Sequence, residues 1–213
     1  MINEQFLDYS IFTVYVDIMR TTEESTQAII ESANVFFARF GYGKTTMTEI
    51  AEYCDMSVGN LYRFFPSKLD LAAKIVDLVN QESVANLRRV SARKYRSSAV
   101  RVEALVIAEL RETFESMENR PTIEEMGRII MFKRVDVINK GLADTRKVLE
   151  EVLQDGIASG EFTIAKPDFA AEMMQAATLK FRYPQLWSRL DLPALEREAK
   201  GVVRLLLKGI QTR

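Results

Sequence analysis

Histidine is missing from the 213 residues of this chain, and cysteine occurs once, as Cys54. Without histidine there are no imidazole metal ligands, no histidine general bases and no Ser–His or Cys–His nucleophile pairs. One cysteine forms neither an intramolecular disulfide nor a thiolate metal cluster, and it fits a reduced, cytoplasmic compartment. A glycine-rich nucleotide loop is also missing. We therefore predict that the protein is not an enzyme and has no cofactor or metal site.

Long apolar runs and a large excess of charge are missing as well. No run reaches the ~18 apolar residues of a membrane span, so we expect no membrane contact. The apolar N-terminal segment carries Glu4 and Asp8, where a signal peptide has positive charge. The net charge is -1 and the pI is near 5.8, so any contact with nucleic acid must be local. A hydrophobic fraction of 47% is typical of a globular protein.

Apolar residues recur at helical spacing along the chain, and no alternating strand pattern is followed by a hairpin signal. This pattern predicts an all-α fold. Pro121, Pro167 and Pro193 fall where first helical turns begin, and Gly41 and Gly160 mark helix ends. The predicted helices span 24–40, 46–53, 57–64, 67–90, 99–118, 121–139, 143–159, 167–183 and 193–211.

Residues 1–20 have two interpretations. Leu7, Ile11, Val14 and Ile18 fall on one helical face, whereas residues 11–16 are rich in β-branched and aromatic residues that favour a strand. We favour an accessory helix that packs on the body of the protein.

Two short helices joined by residues 54–56 form a predicted helix-turn-helix. Thr46 and Glu49 have the spacing of a capping box, and Ser57 caps the second helix, which must end near Phe64 because Pro66 follows. The residues expected to pack between the two helices are Ile50, Ala51, Val58, Leu61 and Phe65.

The opposite face of the second helix is suited to DNA. Gly59 allows a backbone to approach closely, although it costs ~1 kcal/mol relative to alanine in a helix. Asn60 can pair with an adenine edge, Arg63 with guanine or phosphate, and Tyr62 with a phosphate oxygen. An ordinary helical corner with a solvated face is the alternative interpretation.

These residues resemble the DNA-binding segment of TetR-type transcriptional regulators over about residues 26–79, and the Phe-Ala-Arg-Phe-Gly-Tyr sequence of residues 37–42 is similar too. Beyond this segment only the general layout of helices is similar. The matching positions are Thr45, Thr46, Ile50, Ala51, Met56, Ser57, Gly59, Asn60, Leu61, Tyr62, Phe65, Ser67 and Lys68.

The resemblance implies a homodimer in which an N-terminal helix-turn-helix domain (21–68) binds operator DNA. A C-terminal helical bundle (69–213) would hold an effector pocket and the dimer surface, and residues 1–20 would be an extension. By position in the motif, base-reading or groove-facing roles fall to Val58, Gly59, Asn60 and Arg63. Phosphate-contacting roles fall to Thr46, Ser57, Tyr62 and Lys68.

The chain departs from the family pattern at three positions. Asp55 stands in the turn where glycine is usual, Phe64 where histidine is frequent, and Val58 near a usual basic residue. Between Arg20 and Lys68 there are 5 basic and 6 acidic residues, so this segment has a net charge of 5 − 6 = −1. Binding to DNA would therefore depend on placed contacts and not on a strong general field.

Residues 86–101 include 6 basic residues and no acidic one. Arg88 follows Lys68 by about 30 Å of helix, which carries it away from the groove. We favour a solvated helix end over a second site for nucleic acid or another anionic partner. Arg134 and Arg182 are expected to point outward, although inward they could meet an acidic ligand.

Two further sets of residues are predicted in the later helices. Methionine adapts to irregular surfaces, so some of a methionine-rich set could line an effector cavity, although plain core is the alternative. That set is Phe114, Met117, Met126, Ile130, Met131, Met173 and Met174.

The last two helices have apolar residues on more than one face, which predicts that they form a dimer interface. That set is Phe169, Met173, Ala177, Val202, Leu206 and Ile210.

The sequence therefore predicts a ligand-responsive repressor that a small apolar effector releases from an inverted-repeat operator. A helical adapter that binds another protein and a constitutive DNA-binding protein without an effector are the alternatives. A buried carboxylate pair in the later helices would favour an enzyme, and no spacing in the sequence singles one out.

Overall fold

The computed structural model describes residues 7–119, 121–184 and 189–212, with side chains for 22–116, 125–184 and 189–212. These residues contain nine α-helices and no sheet, which confirms the predicted all-α fold. In chain order the helices α1 to α9 are Leu7–Phe40, Met47–Tyr53, Val58–Phe64, Lys68–Ser91, Ser98–Asn119, Pro121–Lys133, Val135–Ala158, Pro167–Arg182 and Leu192–Lys208.

Helix α1 is longer than the sequence predicts. Residues 7–20 continue into the predicted helix without a break. The helical interpretation of residues 7–20 is therefore confirmed and the strand is wrong, but these residues are part of α1 and not a helix of their own. Adding a residue to an existing helix is far easier than nucleating a new element, and the β-branched residues each cost less than about 0.7 kcal/mol. The helix ends where predicted, because Gly41 takes a left-handed φ of 86° and its amide bonds back to Phe37 at 3.0 Å.

The chain divides into two compact units, one through Ile75 and the other from Val76, and α4 runs across the division. The core of the first unit joins α1, α2, α3 and the start of α4. Large apolar side chains recur on one face of each helix, and burying each of them contributes about 1.5–3 kcal/mol. The central members are Ile29, Ala33, Phe37, Ile50, Leu61 and Leu71, all with no exposed surface.

The second unit packs α5, α7, α8 and α9 around a common core. The largest side chains in that core with almost no exposed surface are Val102, Leu110, Val148, Leu153 and Leu195. Helix α6 packs against α5 and α7. Pro121, Pro167 and Pro193 all lie in first turns, as predicted.

The predicted break at residues 139–143 is wrong. One helix ends at Lys133 and the next begins at Val135, with Arg134 between them, and Gly141 lies inside α7. The glycine is a packing residue, since a β-carbon added to it would stand 2.6 Å from Nδ2 of Asn80. No proline or glycine marks the true break.

The C-terminal residues pair with the loop that follows α7. Phe162 and Gln211 form an isolated antiparallel bridge, and the Thr163 amide donates to the Ile210 carbonyl at 2.8 Å. The Thr212 amide donates to the Glu161 carbonyl at 3.0 Å.

Within the described ranges, no helix combines the length and apolar character needed to cross a membrane.

Candidate nucleic-acid interface

The start of α2 is fixed by the predicted capping box. The Glu49 amide donates to the Thr46 hydroxyl at 3.2 Å, and the Thr46 amide donates to the Glu49 carboxylate at 2.8 Å. The Thr46 hydroxyl also donates to that carboxylate at 2.7 Å. This hydroxyl, and then the backbone amide, hold the pKa of Glu49 below its usual value. In the free protein the Thr46 hydroxyl hydrogen is therefore already in use.

The turn between α2 and α3 places Asp55 in the left-handed region, with a φ of 52°. This is the position where the sequence departs from the usual glycine. The Met56 amide closes the turn by donating to the Ala51 carbonyl at 3.0 Å. Cys54 precedes the turn, and its Sγ donates to the Ser32 hydroxyl at 3.2 Å, which ties α1 to the turn.

Helix α3 begins at the predicted cap, where the Ser57 hydroxyl accepts from the Asn60 amide at 3.1 Å. Leu61 is fully buried and Phe65 is nearly so, which anchors α3 to its own unit. Val58, which the sequence also places against α2, is instead 37% exposed. At helical spacing it shares a face with Tyr62.

The outer face of α3 consists of Val58, Gly59, Tyr62 and Arg63, all exposed, with Asn60 half-buried at its edge. Nothing in the fold requires the glycine. Its φ is not positive, and a β-carbon added to it would meet no atom within 4 Å. Gly59 leaves the start of this outer face without a side chain, so the backbone of another molecule could approach α3 closely there.

Lys68 is turned toward its own unit. Its ammonium group donates to the Tyr42 carbonyl at 2.8 Å and to the Thr45 carbonyl at 2.7 Å, and lies 4.5 Å from the centre of the Tyr42 ring. The sequence did not predict that Tyr42 contacts Lys68, although Tyr42 lies in the segment that matches the family pattern, directly after Gly41. Burial first, and then Asp70, raise the pKa of Tyr42.

Sequence profiles match both parts of the chain. Residues 29–75 match the bacterial regulatory proteins of the tetR family, and residues 98–203 match the tetracyclin repressor-like C-terminal domain. The chain belongs to the TetR family. It is accordingly a helix-turn-helix transcriptional regulator, and the family and the relatives found are regulators and not enzymes.

Two relatives of this TetR-family protein are similar to it over most of both chains, one in sequence and one in fold. It is 24% identical to the HTH-type transcriptional regulator YhgD of Bacillus subtilis (strain 168), over 85% of this chain and 94% of YhgD. A transcriptional regulator from Cytophaga hutchinsonii has the same fold, with a TM-score of 0.68 and 22% identity over 87% of this chain and 98% of that one.

A third similar structure is SmeT in a complex with triclosan, with a TM-score of 0.61 and 20% identity over 89% of this chain and 92% of that one. SmeT is described as the repressor of the Stenotrophomonas maltophilia multidrug efflux pump SmeDEF.

The predicted effector residues of this TetR-family chain do not form one cluster. Phe114 and Met174 pack in the core of the second unit, and Met126 and Ile130 are fully buried outside that cluster. Met173 is 42% exposed. Met131 is half-buried, and the side chain of Met117 lies outside the described residues.

Arg182 points inward, contrary to the outward prediction. Its side chain is buried, pairs with Glu109, and donates to the Thr145 hydroxyl at 3.1 Å and the Tyr183 hydroxyl at 3.3 Å. The partners come from other helices or from the end of α8, so the helical periodicity of α8 alone gives no sign of them. Arg134 is half-buried and pairs with Asp136 at 2.9 Å.

The predicted dimer residues separate into two groups. Phe169, Met173 and Ala177 form an exposed stripe on α8 at intervals of one helical turn. On α9, the most exposed apolar residue is Leu205, at 70%. Val202, Leu206 and Ile210 are half-buried and pack against the core of their own unit.

Proposed function

We propose that this TetR-family regulator binds double-stranded operator DNA through the outer face of α3, as a homodimer, and represses transcription until a small molecule releases it. The observation that carries the DNA contact is the place of Gly59 among the exposed residues of α3, where it leaves part of the proposed contact face without a side chain. A side chain at this position would hold the helix away from the groove. The proposed base-reading or groove-facing residues are Val58, Gly59, Asn60 and Arg63.

The phosphate contacts predicted from the sequence are Thr46, Ser57, Tyr62 and Lys68, and they differ in what they offer. Tyr62 is 47% exposed and has a hydroxyl donor for a phosphate oxygen. The Ser57 hydroxyl accepts the Asn60 amide, which leaves its hydrogen for a phosphate. Thr46 must exchange its bond to Glu49 before it donates to DNA. The Lys68 ammonium faces backbone carbonyls, so we propose that Lys68 mainly positions the start of α4.

Footprinting on the promoter fragments next to the gene tests the DNA contact. We expect protection of an inverted repeat whose half-sites lie on one side of the duplex, about 34–36 Å apart or a multiple of that distance. Asn60→Ala should lose about 1–3 kcal/mol of discrimination at one base pair of each half-site. Asn139→Ala, which removes an exposed asparagine from α7, is the matched control and should leave the footprint unchanged.

A failure of wild-type protein to protect any fragment would contradict the DNA proposal. The helix-turn-helix would then be better explained as a surface for another protein, an alternative that the net charge of −1 between Arg20 and Lys68 (5 − 6) keeps open.

Homodimer formation is supported by the exposed stripe on α8. Phe169, Met173 and Ala177 are exposed on α8, whose opposite side packs in the core of the second unit, and exposed apolar patches are typical of interaction surfaces. Met173 belongs to both predicted sets, and its exposure favours the interface. In this proposal Val202, Leu206 and Ile210, which are half-buried in each protomer, lie at the edge of the interface.

The effector is proposed to be a small apolar molecule that binds between the later helices of the second unit. The candidate contacts are Phe114 and Met174 near the core, or Met126, Ile130 and Met131 on α6, with Met117 preceding α6 in the sequence. Support comes from the apolar character of these side chains and from SmeT, whose structure holds triclosan. A hundredfold loss of DNA affinity requires ~2.7 kcal/mol of coupling, so the effector must bind the released state that much better.

Triclosan serves as the first apolar probe of this effector site. Its addition should lower operator occupancy in a fluorescence anisotropy titration, and Ile130→Trp should abolish that response while preserving operator binding. Operator binding that no apolar compound weakens would indicate a constitutive DNA-binding protein.

A further inference from the structure

The segment between α4 and α5 concentrates positive charge that the proposed DNA contact does not use. Residues 86–101 include 6 basic residues and no acidic one. Arg88 pairs with Glu151 at 3.1 Å, and Arg101 pairs with Asp155. Among the described side chains, none forms an ion pair with Arg93 or Arg96, and both arginines are exposed. These two guanidinium groups are therefore available to a ligand.

The same segment forms one wall of an open cleft of about 500 Å³ in the second unit. Arg93, Arg96 and Arg101 line it, together with Tyr95 and Ser98. The Tyr95 hydroxyl donates to the Val90 carbonyl at 3.0 Å, which fixes the position of the ring. Small-molecule sites in proteins are typically about 300–1,000 Å³ in volume, so the cleft is large enough for a small metabolite.

The acidic residue in the cleft is already engaged. Both carboxylate oxygens of Glu161 accept backbone amides at the start of α5, from Ser98 at 2.6 Å and from Ala99 at 2.9 Å. The helix N-terminus is thus closed by the protein itself and is not the ligand's anchor. The three arginines and Glu161 give the lining a net charge of 3 − 1 = +2.

Arg101 supplies a further reason to expect an anion. Asp155 engages one Nη, while Nε is buried and has no acceptor in the part of the chain that the structure describes. A buried donor without an acceptor is destabilising. Adding an anion beside Arg101 would improve the electrostatic environment of this guanidinium.

We propose that this cleft binds the phosphoryl group of a small anionic metabolite. Guanidinium groups bind phosphate oxygens through paired N–H donors, and Arg93 and Arg96 are placed on one loop to do so. A concave cleft of this size suits a small anion better than the continuous phosphate backbone of a duplex. Tyr95 would form a fixed wall for the rest of the ligand.

Calorimetric titration of the full-length protein with pyrophosphate, at constant ionic strength, tests this proposal. We expect saturable binding that Arg96→Gln weakens by about tenfold or more, because one bidentate contact is lost. Lys94→Gln is the matched control. It removes one exposed charge from the same loop, outside the cleft lining, and should change the affinity by less than about twofold.

A second titration, with ADP, tests whether the ligand that carries the phosphoryl group is a nucleotide. Tighter binding than pyrophosphate would indicate a nucleotide that uses the Tyr95 wall, and equal binding would indicate recognition of the phosphoryl group alone. The proposal is overturned if pyrophosphate gives no saturable heat, or if Lys94→Gln weakens binding as much as Arg96→Gln. It is also overturned if Arg96→Gln weakens operator binding and leaves pyrophosphate binding unchanged.

Discussion

The ammonium group of Lys68 donates a hydrogen bond to the carbonyl oxygen of Tyr42 at 2.8 Å and lies 4.5 Å from the centre of the ring of the same residue. The first residue of α4 is thereby fastened to the loop that follows α1. Since α2 and α3 lie between these two points in the chain, the contact closes the helix-turn-helix on itself. A lysine that resembles a phosphate ligand in the sequence is in this way part of the frame that holds the recognition helix.

Lys68→Met should lower the free energy of unfolding by about 1–3 kcal/mol, because two carbonyls lose a charged donor and the side-chain stem is kept. Operator affinity should fall as well. The slope of log K against log salt separates the two roles. A direct phosphate contact would reduce that slope by about 0.9 for each protomer of the dimer, whereas a positioning role leaves it unchanged, which is the result we expect. Thermal unfolding and anisotropy at several salt concentrations provide both measurements.

Gly59→Ala should separate stability from function. Alanine is favoured over glycine in a helix by up to about 1 kcal/mol, and the added methyl group meets no atom of the described residues within 4 Å, so the melting temperature should rise. Operator affinity should fall by about tenfold or more, since the methyl group stands between α3 and the groove. Gly127→Ala, at another open helical position, should raise stability without affecting DNA binding. Unchanged operator affinity in Gly59→Ala would falsify the close approach.

Asp55→Gly should raise the melting temperature by a few degrees and Asp55→Ala should lower it. The φ of 52° is strained for residues with a β-carbon, by about 1–2 kcal/mol, and aspartate tolerates it better than alanine does. Both substitutions remove the same carboxylate, so melting temperatures that shift in opposite directions would show that the effect comes from the backbone conformation and not from the charge. Equal shifts in calorimetry would assign the effect to the charge instead.

The capping box of α2 should make the first unit sensitive to acid. The pKa of Glu49 is lowered in the folded protein from 4.5, so its stabilising contribution is complete above 4.5 and is lost as the pH falls through the lower folded pKa. The difference in melting temperature between wild type and Glu49→Gln should therefore shrink as the pH falls below about 4.5. A difference that stays constant down to pH ~3 would argue against this linkage.

Phe169→Glu should weaken the proposed dimer by about a hundredfold, as expected for the loss of a central aromatic anchor, without unfolding the protomer. Phe132→Glu is the control. Phe132 is 80% exposed on α6, compared with 56% for Phe169 on α8, and its replacement introduces the same charge away from the stripe. Sedimentation velocity over a range of concentrations measures both variants. Wild-type protein that sediments as a monomer at micromolar concentration would rule out the interface.

Local signals in the sequence were sufficient for much of the fold. The caps at Thr46 and Ser57 bond to amides within the same turn, and Pro167 fits a first turn because it has no amide to satisfy. Such features depend only on neighbours in the chain. Tyr62 and Arg63 were predictable on the outer face of α3 for the same reason, since burying Leu61 fixes which residues of a short helix face outward, whereas Val58 was expected to pack against α2 and is exposed.

Contacts between distant residues account for what the sequence did not reveal. Gly141 has the appearance of a helix breaker until Asn80 is seen to occupy the space beside it. Arg182 belongs in the interior only because Glu109 and Thr145 meet it there. The start of α5 depends on Glu161, which is more than sixty residues away. No periodicity within one helix contains this information.

The pairing of the C-terminal residues with the loop after α7 affects how the protein can be handled. The Thr212 amide holds the backbone of Glu161, and the side chain of Glu161 in turn holds the first amides of α5, beside the arginine cleft. A form of the protein that is cut back before Thr212 would lose this chain of contacts at its outer end, so shortened forms should keep Thr212.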